Sequence, residues 1–260
     1  MRSRLPSPLS WKLLAAILPP VILAVSVLVW LQYSLARREI LSAISKETQF
    51  LAQRMAAGLD DLLEQRHRDL FTLAETPLIA DYYRNVDFQL SDEAETYRRE
   101  LEHYLRNFSE RNGVYAQILY LDREGREVCA IHARAVTDHP AHARRDYFVK
   151  ARAAGPGGWW ASSIEDLAGG GPVVHYSKPV YDERRKFKGV LALWYDLSQM
   201  RLLLMKVEMG RRGRAYIQTA DGSRLEGRPR EGEGQGLIVA SSPLKRQTWR
   251  VFVEAPLEDF

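Results

Sequence analysis

One cysteine, Cys129, occurs in 260 residues. No internal disulfide can form, which excludes a disulfide-stapled scaffold and suits a bacterial cytoplasm or periplasm better than a small secreted eukaryotic protein. Catalytic signatures are missing too. There is no Gly-x-Ser-x-Gly and no His-Glu-x-x-His, so the usual nucleophile and zinc-protease arrangements are absent. Gly169-Gly170-Gly171 lacks the following Lys and Ser or Thr of a phosphate loop and reads as a turn. His132, His139 and His142 have no carboxylate or cysteine at a familiar zinc spacing. No metal, no cofactor and no enzymatic activity are therefore expected. The acidic pairs Asp60-Asp61 and Glu165-Asp166 read as solvated faces. A concentrated positive face is lacking as well. The net charge is +4, and Arg2, Arg4 and Lys12 give residues 1–36 a charge of +3, leaving +1 for the rest. A nearly neutral body argues against nucleic acid, which needs a basic surface.

What is present is a long apolar run. Residues 13–36 carry no charge, and about 20 such residues span the hydrocarbon core of a bilayer. Trp30 and Tyr33 stand where an interfacial aromatic belt would lie, and Arg37-Arg38 ends the run. The run is longer than the core of a cleaved signal peptide. It predicts an uncleaved membrane anchor, with residues 1–12 as its N-terminal flank. Three basic residues before the span and two just after it favour a cytoplasmic N-terminus. The body would then lie in the periplasm or outside the cell, attached to the inner membrane of a bacterium.

Residues 37–77 predict one long helix, because Ile40, Ile44, Leu51, Met55, Leu59, Leu62 and Leu70 recur near a 3.6-residue period. Such a stripe packs on its own domain or on a second copy. A further helix is predicted over 92–111, ended by Asn112-Gly113. From there the texture is that of strands. Residues 114–121, the turn Asp122-Arg123-Glu124-Gly125 and residues 127–133 form a hairpin signal. After an irregular stretch with a short helix near 146–154, strands follow over 173–181 and 190–195, then a short helix near 197–207. A second, smaller unit begins near residue 210, where strand–Asp-x-x-Gly returns in shortened form at 217–222. Helices first and an antiparallel sheet afterwards point to an α+β fold.

The order of these features resembles a double Cache domain. It comprises a membrane helix, a long helix, strand–Asp-x-x-Gly–strand, Arg145-x-Tyr147-Phe148, a tryptophan loop and Tyr176-Ser177-Lys178-Pro179-Val180. Gly189-Val190-Leu191-x-Leu193-x-x-Asp196-Leu197 and Trp249-x-Val251-x-Val253-Glu254 follow. The resemblance covers about residues 37–256. It implies two stacked PAS-like units, a membrane-distal one over 78–197 and a membrane-proximal one over 210–260, joined by a connecting helix at 198–209. It also implies the extracytoplasmic sensor of a histidine kinase, chemoreceptor or diguanylate cyclase, with an amino acid or small carboxylate bound in the distal unit.

In amino-acid-binding members the pocket edge reads Arg-x-Trp-Tyr-x-x-Ala. Arg145 and Ala151 match it, while Tyr147 and Phe148 replace the two aromatics and Pro140 stands in for an upstream tyrosine. A guanidinium fits a carboxylate with two parallel hydrogen bonds, so Arg145 is the expected anchor. Tyr147 and Tyr176 could add hydroxyl donors, Lys178 a second positive charge, and Trp159 and Trp160 an apolar lid. Asp196 resembles the acid that receives an amino group, and an Asp there also suits a helix cap. Expected partners are a small-molecule ligand, the membrane, a second copy along the long helix and a membrane partner protein. Family members usually carry a second span and an output domain, so the expectation is either a piece of a larger receptor or a sensor acting through a partner. The alternative is a non-sensing accessory subunit that uses the same fold to dock in a membrane complex.

Overall fold

The computed structural model describes residues 8–132, 142–167, 171–207, 209–210, 212–228, 236–245 and 247–259, with side chains described from residue 18. His139, Pro140, Gly169 and Gly170 lie outside them.

Helix α1 (Pro8–Ala74) runs for 67 residues, about 100 Å at 1.5 Å per residue. Its apolar stretch is exposed over the described side chains, as at Leu23, Val29 and Trp30. By length and composition it is the one helix among the described residues able to cross a membrane. Pro19 and Pro20 sit inside it, which lipid-embedded helices tolerate. Farther along, Ile44, Thr48, Ala52, Ala56, Leu59, Leu63, Leu70 and Leu73 form the buried stripe. The period matches the sequence, but the phase is shifted. Leu51, Met55 and Leu62 are only partly buried and Ile40 is exposed. The alanines take the line of closest approach because a helix can come near a sheet only where side chains are small. The bulkier residues flank that line.

A turn at Glu75-Thr76 leads to α2 (Pro77–Asp87), with Pro77 in its first turn where its missing N–H costs nothing. Helix α3 (Ser91–Asn112) ends at Gly113, whose φ of 63° is left-handed and whose N–H donates to the Ser109 carbonyl. The distal sheet follows: β1 (Tyr115–Asp122), β2 (Glu127–His132), helix α4 (Asp146–Ala154), β3 (Trp160–Ala161), β4 (Glu165–Leu167), β5 (Gly171–Tyr181) and β6 (Phe187–Asp196). Its order is β2-β1-β6-β5-β3, with β4 also on β5, and every pairing is antiparallel. One face, with Ile118, Tyr120, Val174, Tyr176, Leu191, Leu193 and Tyr195, packs on the helical layer of α1 to α3. The other, with Leu119, Leu121, Val173, Val190, Ala192 and Trp194, is covered by Tyr147, Phe148 and Ala151 of α4.

Helix α5 (Ser198–Met205) connects to a second sheet of β7 (Arg214–Gln218), β8 (Arg224–Glu226), β9 (Leu237–Pro243) and β10 (Arg250–Pro256), ordered β8-β7-β10-β9. This sheet rests on α1 through β9 and β10. The result is the α+β arrangement expected, a long helix followed by two antiparallel-sheet units. The Asp-x-x-Gly turn in the distal unit is built by Asp122, whose Oδ1 accepts from the N–H groups of Glu124 and Arg126. Gly125 in that turn has φ 79°, and a Cβ there would lie 2.7 Å from Ala143. Only glycine lets the β1–β2 hairpin close onto residues 142–144, and this contact helps to build the site.

Candidate ligand-binding site

The N-terminal end of α4 stands over the outer face of the distal sheet, and a cavity of about 460 Å3 lies between them. Arg144, Arg145 and Tyr147 form one wall, Glu165, Asp166 and Leu167 another, and Val173, His175 and Trp194 the sheet side. Strand alternation explains the last set: Val173 and His175 on β5 and Trp194 on β6 share one parity. Trp194 is buried, and its ring meets those of Tyr147 at 4.9 Å and His175 at 4.7 Å. The floor is thus aromatic and the rim charged. That combination can hold a small polar solute by its charged ends while excluding water from its underside.

Both arginines are exposed at the rim. Arg145 has extended backbone, φ −83° and ψ 148°, at the entry to α4. Glu165 lies 3.6 Å from His175 Nδ1, and burial holds its carboxyl above the usual range while Ser162 and Arg145 pull it back. The Tyr147 phenol is raised by burial, against the Arg145 charge. Its oxygen lies 2.5 Å from His142 Nδ1, and His142 Nε2 lies 2.6 Å from Glu127 Oε1.

The structure brings together two of the seven residues expected to contact a ligand, Arg145 and Tyr147. Trp160 packs on the same sheet face, with Lys150 Nζ 5.2 Å above its ring, but outside the cavity wall. Asp196 pairs with Val173 in register, and its Oδ1 accepts from the N–H and hydroxyl of Ser198 at the start of α5. The remaining three face α1. Trp159 stacks on Tyr176 and meets His67. The Tyr176 hydroxyl accepts from Gln247 Nε2 at 2.7 Å, tying the two units together. Lys178 lies 3.7 Å from Glu75 and 4.4 Å over Phe71. Tyr176 and Lys178 share a parity opposite to that of Val173 and His175, so one β-strand cannot send both sets to the same cavity.

The other eight lining residues were not anticipated, among them Arg144 as a second rim arginine, Glu165, His175 and Trp194. Glu165 and Asp166 read as a solvated acidic pair, yet they border the cavity. The two-residue repeat linking Val173, His175 and the facing Trp194 was the available signal.

Comparison with known proteins follows the same line. A family model described as Cache domain matches residues 34–260. Among solved structures, the ligand-binding domain of the Pseudomonas aeruginosa amino acid chemoreceptor PctC in complex with GABA aligns with a TM-score of 0.58 at 16% identity, covering 81% of this chain and 99% of that one. The ligand-binding domain of the Pseudomonas fluorescens chemoreceptor CtaA in complex with L-serine aligns at 0.60 and 12%, covering 84% and 99%. A domain assigned to the sensory box/GGDEF family from Vibrio parahaemolyticus aligns at 0.63 and 14%, covering 84% and 98%. At these identities the likeness is one of fold. No curated protein matches the chain.

Proposed function

Because the chain belongs to the Cache domain family, whose members are extracytoplasmic sensor domains rather than catalytic ones, we propose that its distal unit binds a small carboxylate or amino acid between α4 and the sheet. The observation that carries this reading is the cavity itself, rimmed by Arg144 and Arg145 and floored by Trp194. Arg145 takes the carboxylate of the solute through its planar fork, and Tyr147 beside it and Glu165 on another wall are placed for a second polar group.

The signal leaves through β6. Trp194 faces the cavity and its neighbour Tyr195 faces α1, where the buried Arg66 lies 5.4 Å from the Tyr195 ring and 5.5 Å from that of Tyr115. Arg66 also pairs with Asp69 at 3.3 Å, which accepts from the Tyr115 hydroxyl. A solute that shifts β6 thereby biases the packing of α1, and α1 continues into the apolar stretch. The body lies outside the cytoplasm and the N-terminus inside, a reading supported by the basic residues before the span. A parallel homodimer along α1 is supported by the exposed Phe50 and by an apolar hollow of about 560 Å3 bordered by Leu51, Met55, Leu62 and Leu203.

The test is a thermal-shift screen of the full chain in lipid nanodiscs against amino acids and small carboxylates. A binder at about 100 times its dissociation constant stabilises by about 2.7 kcal/mol. A screen in which no solute of either class moves the transition refutes the reading.

A further inference from the structure

Behind the cavity wall stands a row of three polar side chains, Glu127 on β2, His142 ahead of α4 and Tyr147 on α4, spaced 2.6 and 2.5 Å apart. His142 and Tyr147 are 6% and 4% exposed, so water cannot easily substitute for either bond. Tyr147 is the member of the row that also borders the cavity.

The chemistry of the row restricts what Tyr147 can offer. An ionised carboxylate only accepts hydrogen bonds, so the ring proton facing Glu127 must sit on Nε2. With a single proton on the imidazole, Nδ1 is then an acceptor, and the Tyr147 hydroxyl donates to it. A phenol has one proton, so its oxygen presents only lone pairs to the cavity. With two protons on the ring, Nδ1–H donates to the phenol oxygen, and the Tyr147 proton is released to face a solute. The same residue is a partner for an ammonium in the first case and for a carboxylate in the second.

Resting on the sensor reading above, we propose that Glu127 and His142 are positioning residues that set the direction of the hydrogen bond at Tyr147. The neutral imidazole then selects amine-bearing acids, and the imidazolium selects plain carboxylates. Among the described residues, the titratable and charged groups that face the row or its cavity are Glu127 from β2, Arg144 and Arg145 with Asp146 at the start of α4, Glu165 and Asp166 from β4, and His175 from β5. The two arginines keep their charge throughout, so a selectivity change with pH belongs to His142, to its neighbour His175 or to Glu165, whose carboxyl is held up by burial. Substitution of Glu127, which touches only His142 in this row, separates the first from the other two.

The test uses the full chain in lipid nanodiscs and calorimetric titration of matched pairs: alanine with propionate, 4-aminobutyrate with butyrate, glutamate with glutarate. At about pH 8 the amine-bearing member is expected to bind at least about tenfold more tightly, the worth of one hydrogen bond to a charged group. At about pH 6 that ratio is expected to fall, because acidification favours the doubly protonated ring. In Glu127→Gln the amide can donate to or accept from the ring, so the ratio is expected to shrink at about pH 8 and to change less between the two pH values. Ionisation of the ligands is common to both proteins and cancels. Glu127 is one-third exposed on an edge strand, which makes the variant tolerable to the fold. Should it nevertheless fail to fold, Tyr147→Phe is the second variant, expected to remove the preference for the amine-bearing member by about tenfold. A ratio that is equal at both pH values, or that survives Glu127→Gln or Tyr147→Phe, overturns the inference. Binding of plain carboxylates alone at both pH values leaves the sensor reading standing and ends this one. If no solute of the panel binds, both fall together.

Discussion

Arg145→Ala separates binding from folding. Arg145 is exposed, so its truncation should change the stability of the unliganded protein by no more than about 0.5 kcal/mol, as surface substitutions do. Its bond to a ligand carboxylate is charge-assisted and worth about 1.5–3 kcal/mol, which weakens binding by about tenfold to about a hundredfold. At a ligand concentration about 100 times the original dissociation constant, the parent protein gains about 2.7 kcal/mol. A variant weakened a hundredfold is then at its own dissociation constant and gains only about 0.4 kcal/mol. At roughly 2–4 °C per kcal/mol, a ligand-induced shift of about 5–10 °C collapses to about 1 °C while the unliganded melting temperature stays put. A variant that keeps the full ligand shift refutes the assignment of Arg145 as the anchor. A variant that loses unliganded stability in step with affinity shows that the arginine supports the fold instead.

Other expectations follow from packing and charge. Ala52→Leu, on the buried stripe by which α1 packs on the core, overpacks a fully buried site and should cost about 1–3 kcal/mol in thermal unfolding. A wild-type melting temperature would mean that the helix stands off the sheet. Glu254→Ala strips the partner from Arg214, whose side chain is 9% exposed and 2.7 Å from the Glu254 carboxylate, and should cost about 3–5 kcal/mol, with Glu254→Gln milder. Hydrogen bonds from Arg98 and Arg99 hold the Glu95 carboxyl down at about 2 against an ordinary 4.5. The stability it lends is therefore present above pH 4.5 and lost as pH falls toward 2. In Glu95→Gln the acid limb of an unfolding titration should be less steep. Burial pushes the Cys129 thiol up to about 12, so iodoacetamide at about pH 8 should leave the folded protein unlabelled and modify it only after unfolding, as read by mass spectrometry.

Elements with strong local signals were legible. The apolar run, the period of α1, the stop of α3 at Gly113 and the turns at Asp122–Gly125 and Asp221-Gly222 follow from nearest-neighbour chemistry that a sequence carries in full. Helix α2 was not legible, because Pro77 reads as the end of a helix and is also the best first residue of the next one. Strand β8, three residues long, is too short for any alternation to register. Of the site, Arg145 and Tyr147 could be found through a resemblance of motif. Glu165 reads like any solvated acid, and only the pairing of β4 with β5 brings it to the cavity.

The sequence by itself determined the long helix α1, the end of α3, the main hairpin strands and where the chain can cross a bilayer. Tertiary structure alone decided which way the strand residues face. Strands β5 and β6 are buried on both sides, so apolar residues occupy both parities and no polar–apolar alternation marks the cavity side. His175 and Tyr176 are adjacent in the chain and equally aromatic. Only the placement of α4 on one face and α1 on the other assigns the first to the cavity and the second to the helix core.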